Sequence, residues 1–368
     1  MEIRLSVAMI VRNEAAQLPE CLSSAWEFAD EICVLDTGSI DDTIAIAQAA
    51  GAHTSTFTWT HDFAAARNAS LAMCSGDWIF ILDADERIAQ DDAAGIRAHI
   101  KIDSQKAWRF TTRNYTNNTR LVTFRHSPDT DVHARDFAGW CPSTKVRLFP
   151  RHPDALFEGE VHELINASLI DLGFSLCDSA IPVHHYPLLH SEEHLQTKRL
   201  MYLELAQKKI QTQPENPQAY AELAEQYTEL GLYQQAVAAY RESLRKNPVQ
   251  PDRLRDLGSV LYLLGRKAEA IQATKMALQQ SPHLASARQN LGCMLLEMDD
   301  HKAAFEVLTD SIIPPDELSP AFLSERFRYI AIALLGLGRG DEARHACQEA
   351  LRLAPENREA RTLLDSLD

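Results

Sequence analysis

Between residues 227 and 355 the same residue types return every 34 positions, and this spacing restricts the fold more than any other feature of the chain. Leu257-Gly258 recurs as Leu291-Gly292, Leu261 as Leu295, and Ala270 as Ala304. Gly231, Ala236 and Pro248 recur as Gly265, Ala270 and Pro282, and Gly338, Ala343, Ala350 and Pro355 form a further unit after a short insertion around Pro314-Pro315. A unit this short cannot bury its own apolar face, so neighbours must stack, and an all-α solenoid of helix pairs follows. The small residues allow close helix approach, and the proline ends the second helix of each pair. Residues 356–367 read as a capping helix, and residues 194–213 as a helix joining the array to what precedes it.

The first half has another period. Strand-like segments at 5–11, 31–35, 53–57 and 78–82 alternate with helical spacing at 18–28, 43–51 and 64–74, with Asp41 or Asp42 placed to cap the second helix and Asp62 the third. Such alternation predicts a mostly parallel α/β sheet. Beyond residue 100 the pattern predicts strands at 107–113, 121–125, 145–149 and 180–183 and a loop over 128–142. The expected division is an α/β domain at 1–190, a connecting segment at 191–215 and a repeat array at 216–368.

The candidate site lies where the strands end. Trp78-Ile79-Phe80-Ile81-Leu82 runs directly into Asp83 and Asp85, the second strand ends at Asp36, and the first ends in Arg12-Asn13-Glu14. The carboxyl edge of an open α/β sheet is where ligands bind. Two carboxylates spaced one apart suit Mg²⁺ or Mn²⁺, and that ion suits a diphosphate. Arg67 can reach a phosphate from the helix between the third and fourth strands. The formal net charge of −16 argues against nucleic-acid partners. Seven scattered cysteines without a C-x-x-C pattern point to reduced thiols. With no stretch approaching the length of a transmembrane helix, the expected compartment is the cytoplasm, free or peripheral to the inner membrane.

Met9-Ile10-Val11-Arg12-Asn13-Glu14, Val34-Leu35-Asp36-Thr37-Gly38-Ser39, Phe63-Ala64-Ala65-Ala66-Arg67-Asn68 and Leu82-Asp83-Ala84-Asp85-Glu86, in that order, resemble the family-2 glycosyltransferases of the GT-A fold. The 34-residue unit resembles the tetratricopeptide repeat (TPR). Arg147-Leu148-Phe149 followed by Glu160-Val161-His162-Glu163 is similar to a subgroup with a V-H-E motif, often fused to such repeats, that includes lipooligosaccharide-core and peptide S-glycosyltransferases.

The resemblance implies a metal-dependent, inverting transfer of a sugar from a nucleotide-sugar, usually a UDP-sugar, to a glycan, lipooligosaccharide-core or polypeptide acceptor. It implies that Asp36 binds the base, that Val11, Asn13 and Glu14 line the base and ribose pocket, and that Arg67 sits near the base or diphosphate. Asp83 would face the ribose and the metal shell, and Asp85 would hold Mn²⁺ or Mg²⁺ directly. A late histidine, His185, is a candidate further ligand. Glu163, or alternatively His162, would be the base that deprotonates the acceptor. The repeat groove, with Glu222, Gln226, Arg253 and Asn290 expected on it, would take the acceptor or a protein partner. The competing reading is a TPR interaction scaffold carrying a non-catalytic transferase-like domain. A nucleotidyltransferase would need a glycine-rich loop with lysine after the first strand. A glycoside hydrolase would place its carboxylates on opposite sides of the scissile bond.

Overall fold

The computed structural model describes residues 3–119, 121–128, 130–135, 137–159, 163–187, 192–310 and 318–367. The chain divides into two compact units, residues 1–117 with 127–191, and residues 118–126 with 192–368.

The first unit is α/β. In chain order it contains β1 (Leu5–Val11), α1 (Leu18–Trp26), β2 (Glu31–Asp36), α2 (Thr43–Ala49), β3 (His53–Thr56), α3 (Phe63–Met73), β4 (Trp78–Ile81), β5 (Glu86–Arg87), α4 (Ala93–His99) and β6 (Lys106–Thr116). The two-residue β7 (Arg125–His126) falls in the second stretch of chain. The first unit then resumes with β8 (Gly139–Pro150), α5 (Asn166–Asp171) and β9 (Ser175–His185). The strand order is β3-β2-β1-β4-β8-β6-β9-β5. β1 pairs in parallel with β2 and β4, and β2 with β3, so Val11 stands beside Asp36. β8 joins antiparallel to β4 and to β6, and β9 runs parallel to β6. This mixed sheet fits the GT-A expectation.

β1 is buried along its length because both of its faces are covered. Leu5, Val7, Met9 and Val11 pack with Leu18, Cys21, Leu22 and Ala25 of α1. Ala8 packs on the other side with Ala64 of α3, Ile79 and Ile81 of β4, and Leu169 of α5. The period of two along the strand thus divides its side chains between two cores. Before β4 the backbone passes close to β1. A Cβ on Gly76 would lie 2.8 Å from Ser6 N and 3.0 Å from Arg4 O.

Capping follows the side chains available. Asp62 accepts from Ala65 N at 2.9 Å at the start of α3. At α2 it is Asp41 that accepts from Thr43 N, at 3.1 Å, while Asp42 makes no side-chain cap.

Three expectations for residues beyond 100 need correction. Residues 121–123 form a turn rather than a strand. The loop expected over 128–142 ends earlier, because β8 begins at Gly139 against Thr116. β9 starts at Ser175 rather than near 180. Its polar first half is held as strand by parallel pairing with Lys106–Arg109.

The second unit is all-α: α6 (Glu192–Thr212), α7 (Pro217–Glu229), α8 (Tyr233–Lys246), α9 (Pro251–Leu263), α10 (Lys267–Gln280), α11 (Ala285–Leu296), α12 (His301–Thr309), α13 (Pro320–Gly336), α14 (Gly340–Leu353) and α15 (Arg358–Asp365). The repeat-position alanines are buried between paired helices: Ala236 and Ala270 in one cluster, Ala331 and Ala343 in another. Ala206 of α6 packs in the first cluster. Glu222, expected on the groove, is instead 4% exposed, and Lys209 Nζ of α6 bonds both its oxygens at 3.0 and 2.8 Å. Gln226 and Asn290 are half-buried, and Asn290 donates to Ser259 Oγ at 3.2 Å. Arg253 bonds Glu225 at 2.6 Å.

Candidate active site

The loops after β1 and β2 are tied together. Asn13, at φ +56°, donates its N–H to Ser39 Oγ at 2.9 Å and accepts at Oδ1 from Ile40 N at 2.8 Å. Glu14 N donates to Thr43 Oγ1 at 2.8 Å. Both Thr37 N and Thr37 Oγ1 donate to the Val11 carbonyl, at 2.9 and 3.1 Å. Asp36 is buried, and its Oδ2 accepts from Gly38 N at 2.9 Å and Ser39 N at 3.0 Å. Val11, Asn13, Glu14 and Asp36 therefore form one rigid strand-end wall, with Asp36 fixed by its own turn.

Asp83 and Asp85, two residues apart, take different partners. Asp83 Oδ1 accepts from Arg67 Nη2, and Arg147 Nη1 lies 3.9 Å from Oδ2. Arg67 Nε in turn donates to Glu163 Oε1 at 3.2 Å. Burial alone would raise the Asp83 pKa, but Arg67, Arg147 and Lys145 together hold it below the usual carboxylate range. Burial likewise opposes charge on Arg67, and Asp83 and Glu163 outweigh it. Arg67 Nη1 is buried without a hydrogen-bond partner among the described residues. Arg67, Asp83, Lys145, Arg147, Glu163 and Asn166 line one small cavity.

Asp85 faces the other way. Its Oδ2 lies 3.2 Å from His185 Nε2, and His185 Nδ1 lies 2.7 Å from Asn114 Oδ1. Burial disfavours charge on His185, but the hydrogen bond and charge of Asp85 prevail and raise its pKa. A carboxylate oxygen and an imidazole nitrogen at this separation fit two adjacent ligands of an octahedral ion. Bonds of about 2.1 Å at right angles place such ligands about 3 Å apart. Among the described residues no three His, Cys, Asp or Glu side chains gather in ligand geometry.

The turn bearing both aspartates is braced from below. Glu86 Oε2 accepts from Asp83 N at 3.0 Å. Arg147 clamps both Glu86 oxygens at 2.5 Å and donates to Thr112 Oγ1 at 3.2 Å. Arg147 is 1% and Glu86 2% exposed. On the adjacent strand, His184 Nδ1 lies 2.7 Å from Tyr115 Oη. Burial, with His133 and Arg113 nearby, pushes the His184 pKa down to about 3, so this ring is neutral.

Of the residues expected from sequence, the structure thus brings Arg67, Asp83 and Glu163 into one cluster and Asp85 and His185 into another. His162 lies outside the described residues. Sequence reasoning gave no role to Glu86, Arg147 or Asn114. An arginine inside the apolar run Val146–Phe149 was the available signal for the buried pair. Asn114 carried none.

The mixed sheet with carboxylates at its strand ends lies where the chain matches a family-2 glycosyltransferase domain, and the stack of 34-residue helix pairs lies where it matches tetratricopeptide repeats. Residues 6–130 match the model of Glycosyl transferase family 2. Residues 222–285 and 330–364 match that of the Tetratricopeptide repeat. The chain is 38% identical over 170 residues to a TPR repeat-containing protein of Synechococcus elongatus, across 46% of this chain and 37% of that protein. It is 24% identical over 215 residues to the SPbeta prophage-derived glycosyltransferase SunS of Bacillus subtilis, across 58% of this chain and 46% of that protein. Among solved structures, MamA aligns over 46% of this chain and 95% of its own length at 21% identity and a TM-score of 0.40. The matches span 37% and 46% of the length of these two curated relatives. Among the described residues no helix is long and apolar enough to cross a membrane.

Proposed function

We propose that this protein is a metal-dependent, inverting glycosyltransferase that takes a hexose-type sugar from a UDP-sugar. The observation that carries the reading is the Asp85–His185 pair, an oxygen and a nitrogen donor 3.2 Å apart at the ligand-binding edge of the sheet. Asp36 binds the base, and the wall of Val11, Asn13 and Glu14 encloses base and ribose. Asp83, fixed by Arg67, orients the ribose side of the donor and contributes charge to the metal shell. Asp85 and His185 are the protein ligands for Mn²⁺ or Mg²⁺. The ion, when bound, neutralises charge developing on the leaving diphosphate. Arg67 adds positive charge beside it.

Glu163 takes the acceptor proton through the oxygen not bonded to Arg67, with His162 as the alternative base in the same motif. The acceptor is a glycan, a lipooligosaccharide core or a polypeptide, and the repeat groove presents it or a partner protein. Seven free cysteines support a cytoplasmic site of action.

The test is incubation of the full chain with Mn²⁺ and a panel of nucleotide sugars, following nucleotide release. The expected result is release with one donor and a loss of about 100-fold or more in Asp85→Ala. Glu163→Gln should retain nucleotide binding and lose transfer. Silence with every donor, or full activity in Asp85→Ala, overturns the reading.

A further inference from the structure

We infer that Asn114 is a positioning residue that selects which nitrogen of His185 is presented to the cation. The inference rests on the metal-dependent reading above and extends it to a residue outside the recognised motifs.

The strand register puts Asn114 in the middle of three strands. It stands opposite Cys141 on β8 and opposite His185 on β9. Its amide nitrogen donates to the Cys141 carbonyl at 2.9 Å and to Ser143 Oγ at 3.0 Å. A backbone carbonyl only accepts, so flipping the amide would set two oxygens against each other at that distance. The amide orientation is thereby fixed, and Oδ1 faces His185 Nδ1 at 2.7 Å. Oδ1 can only accept, so the Nδ1 position carries a proton. In a neutral imidazole this leaves the lone pair on Nε2, aimed at Asp85 Oδ2. Asp85 Oδ2 and Nε2, 3.2 Å apart, can then serve as adjacent ligands of one cation lying beside the pair, once any proton on Nε2 has left. Without the Asn114 oxygen the ring can keep its one remaining proton on Nε2 and donate it to Asp85, and that hydrogen bond opposes the cation. Partners of this kind are worth 10–100-fold in metal affinity.

The experiment is a double-mutant cycle on the full chain, measuring Mn²⁺ affinity at fixed pH with UDP present. Water-proton relaxation is the readout, because it separates protein-bound from nucleotide-bound Mn²⁺. Asn114→Leu should weaken binding by about 10–100-fold. His185→Ala should also weaken it, and the double variant should be no weaker than His185→Ala within about twofold, because Asn114 acts only through that ring. A merely structural role for Asn114 would instead lower the affinity of the His185→Ala background again. Wild-type affinity in Asn114→Leu beside weak binding in His185→Ala overturns the positioning role alone. Wild-type affinity in His185→Ala, or no protein-bound Mn²⁺ in the wild type, overturns the metal reading and this inference with it. Should Asn114→Leu fail to fold, Asn114→Ser completes the same cycle.

Discussion

Replacing Arg147 by methionine should destabilise the transferase unit far more than any surface change, and the reason lies in what it leaves behind. Glu86 is 2% exposed and has both oxygens on Arg147 at 2.5 Å. Once the guanidinium is gone, the carboxylate keeps the Asp83 N–H but loses its charge partner. Breaking one side of a buried pair costs about 3–5 kcal/mol. Removing both sides is different, because apolar replacements of similar volume leave no buried charge. Arg147→Met with Glu86→Leu should recover most of the loss, short of about 1–3 kcal/mol for the Asp83 N–H left without its acceptor. At roughly 2–4 °C per kcal/mol for a unit of this size, the single variant should melt about 6–20 °C lower than wild type. All five tryptophans, Trp26, Trp59, Trp78, Trp108 and Trp140, lie in this unit, so intrinsic fluorescence follows its unfolding separately from the repeats. Two results would refute the reasoning: a loss under about 1 kcal/mol in Arg147→Met, or a double variant as unstable as the sum of its singles.

Gly76→Ala should cost about 1–3 kcal/mol by the same fluorescence melt, since the new methyl meets backbone atoms of Ser6 and Arg4 that cannot swing aside; an unchanged melt would show that β1 yields there. Glu31 is buried and accepts from Ser6 Oγ at 2.5 Å, Ser75 N at 2.8 Å and Ser75 Oγ at 3.0 Å. Burial raises its pKa, but these donors and His53 bring it below the usual glutamate value. The unfolded chain therefore binds this proton more readily, and the stability Glu31 contributes is present above about pH 4.3 and lost as pH falls through the lowered value. Glu31→Gln should flatten that acid slope, and an identical slope in the variant would count against the assignment. In the repeat unit, Lys209→Met leaves Glu222 buried without its cation and should cost about 3–5 kcal/mol. Hydrogen exchange should show α6 losing protection first, and unaltered exchange there would mean that the pair does not hold α6 to α7.

What the sequence discloses is what a residue's own neighbours in the chain determine. Asp36, Asp83 and Asp85 stand out because charge follows an apolar run, and the solenoid stands out because its register repeats. What it hides is set by pairing across the sheet. Ser175-Leu176-Cys177-Asp178 has little strand character, yet it is strand because Lys106–Arg109 lies alongside. Glu222 sits where a groove residue would, and Lys209, thirteen positions earlier, turns it into a helix clamp. The aspartate pair shows the boundary most clearly. Spacing identifies Asp83 and Asp85 together, and nothing in the spacing separates them. Their partners do: Arg67 lies 16 residues before Asp83, and His185 lies 100 residues after Asp85. One carboxylate is bonded by a buried arginine and the other lies 3.2 Å from an imidazole nitrogen. The two carboxylates of one motif thus differ in their partners, and that difference is a property of the assembled sheet rather than of the motif.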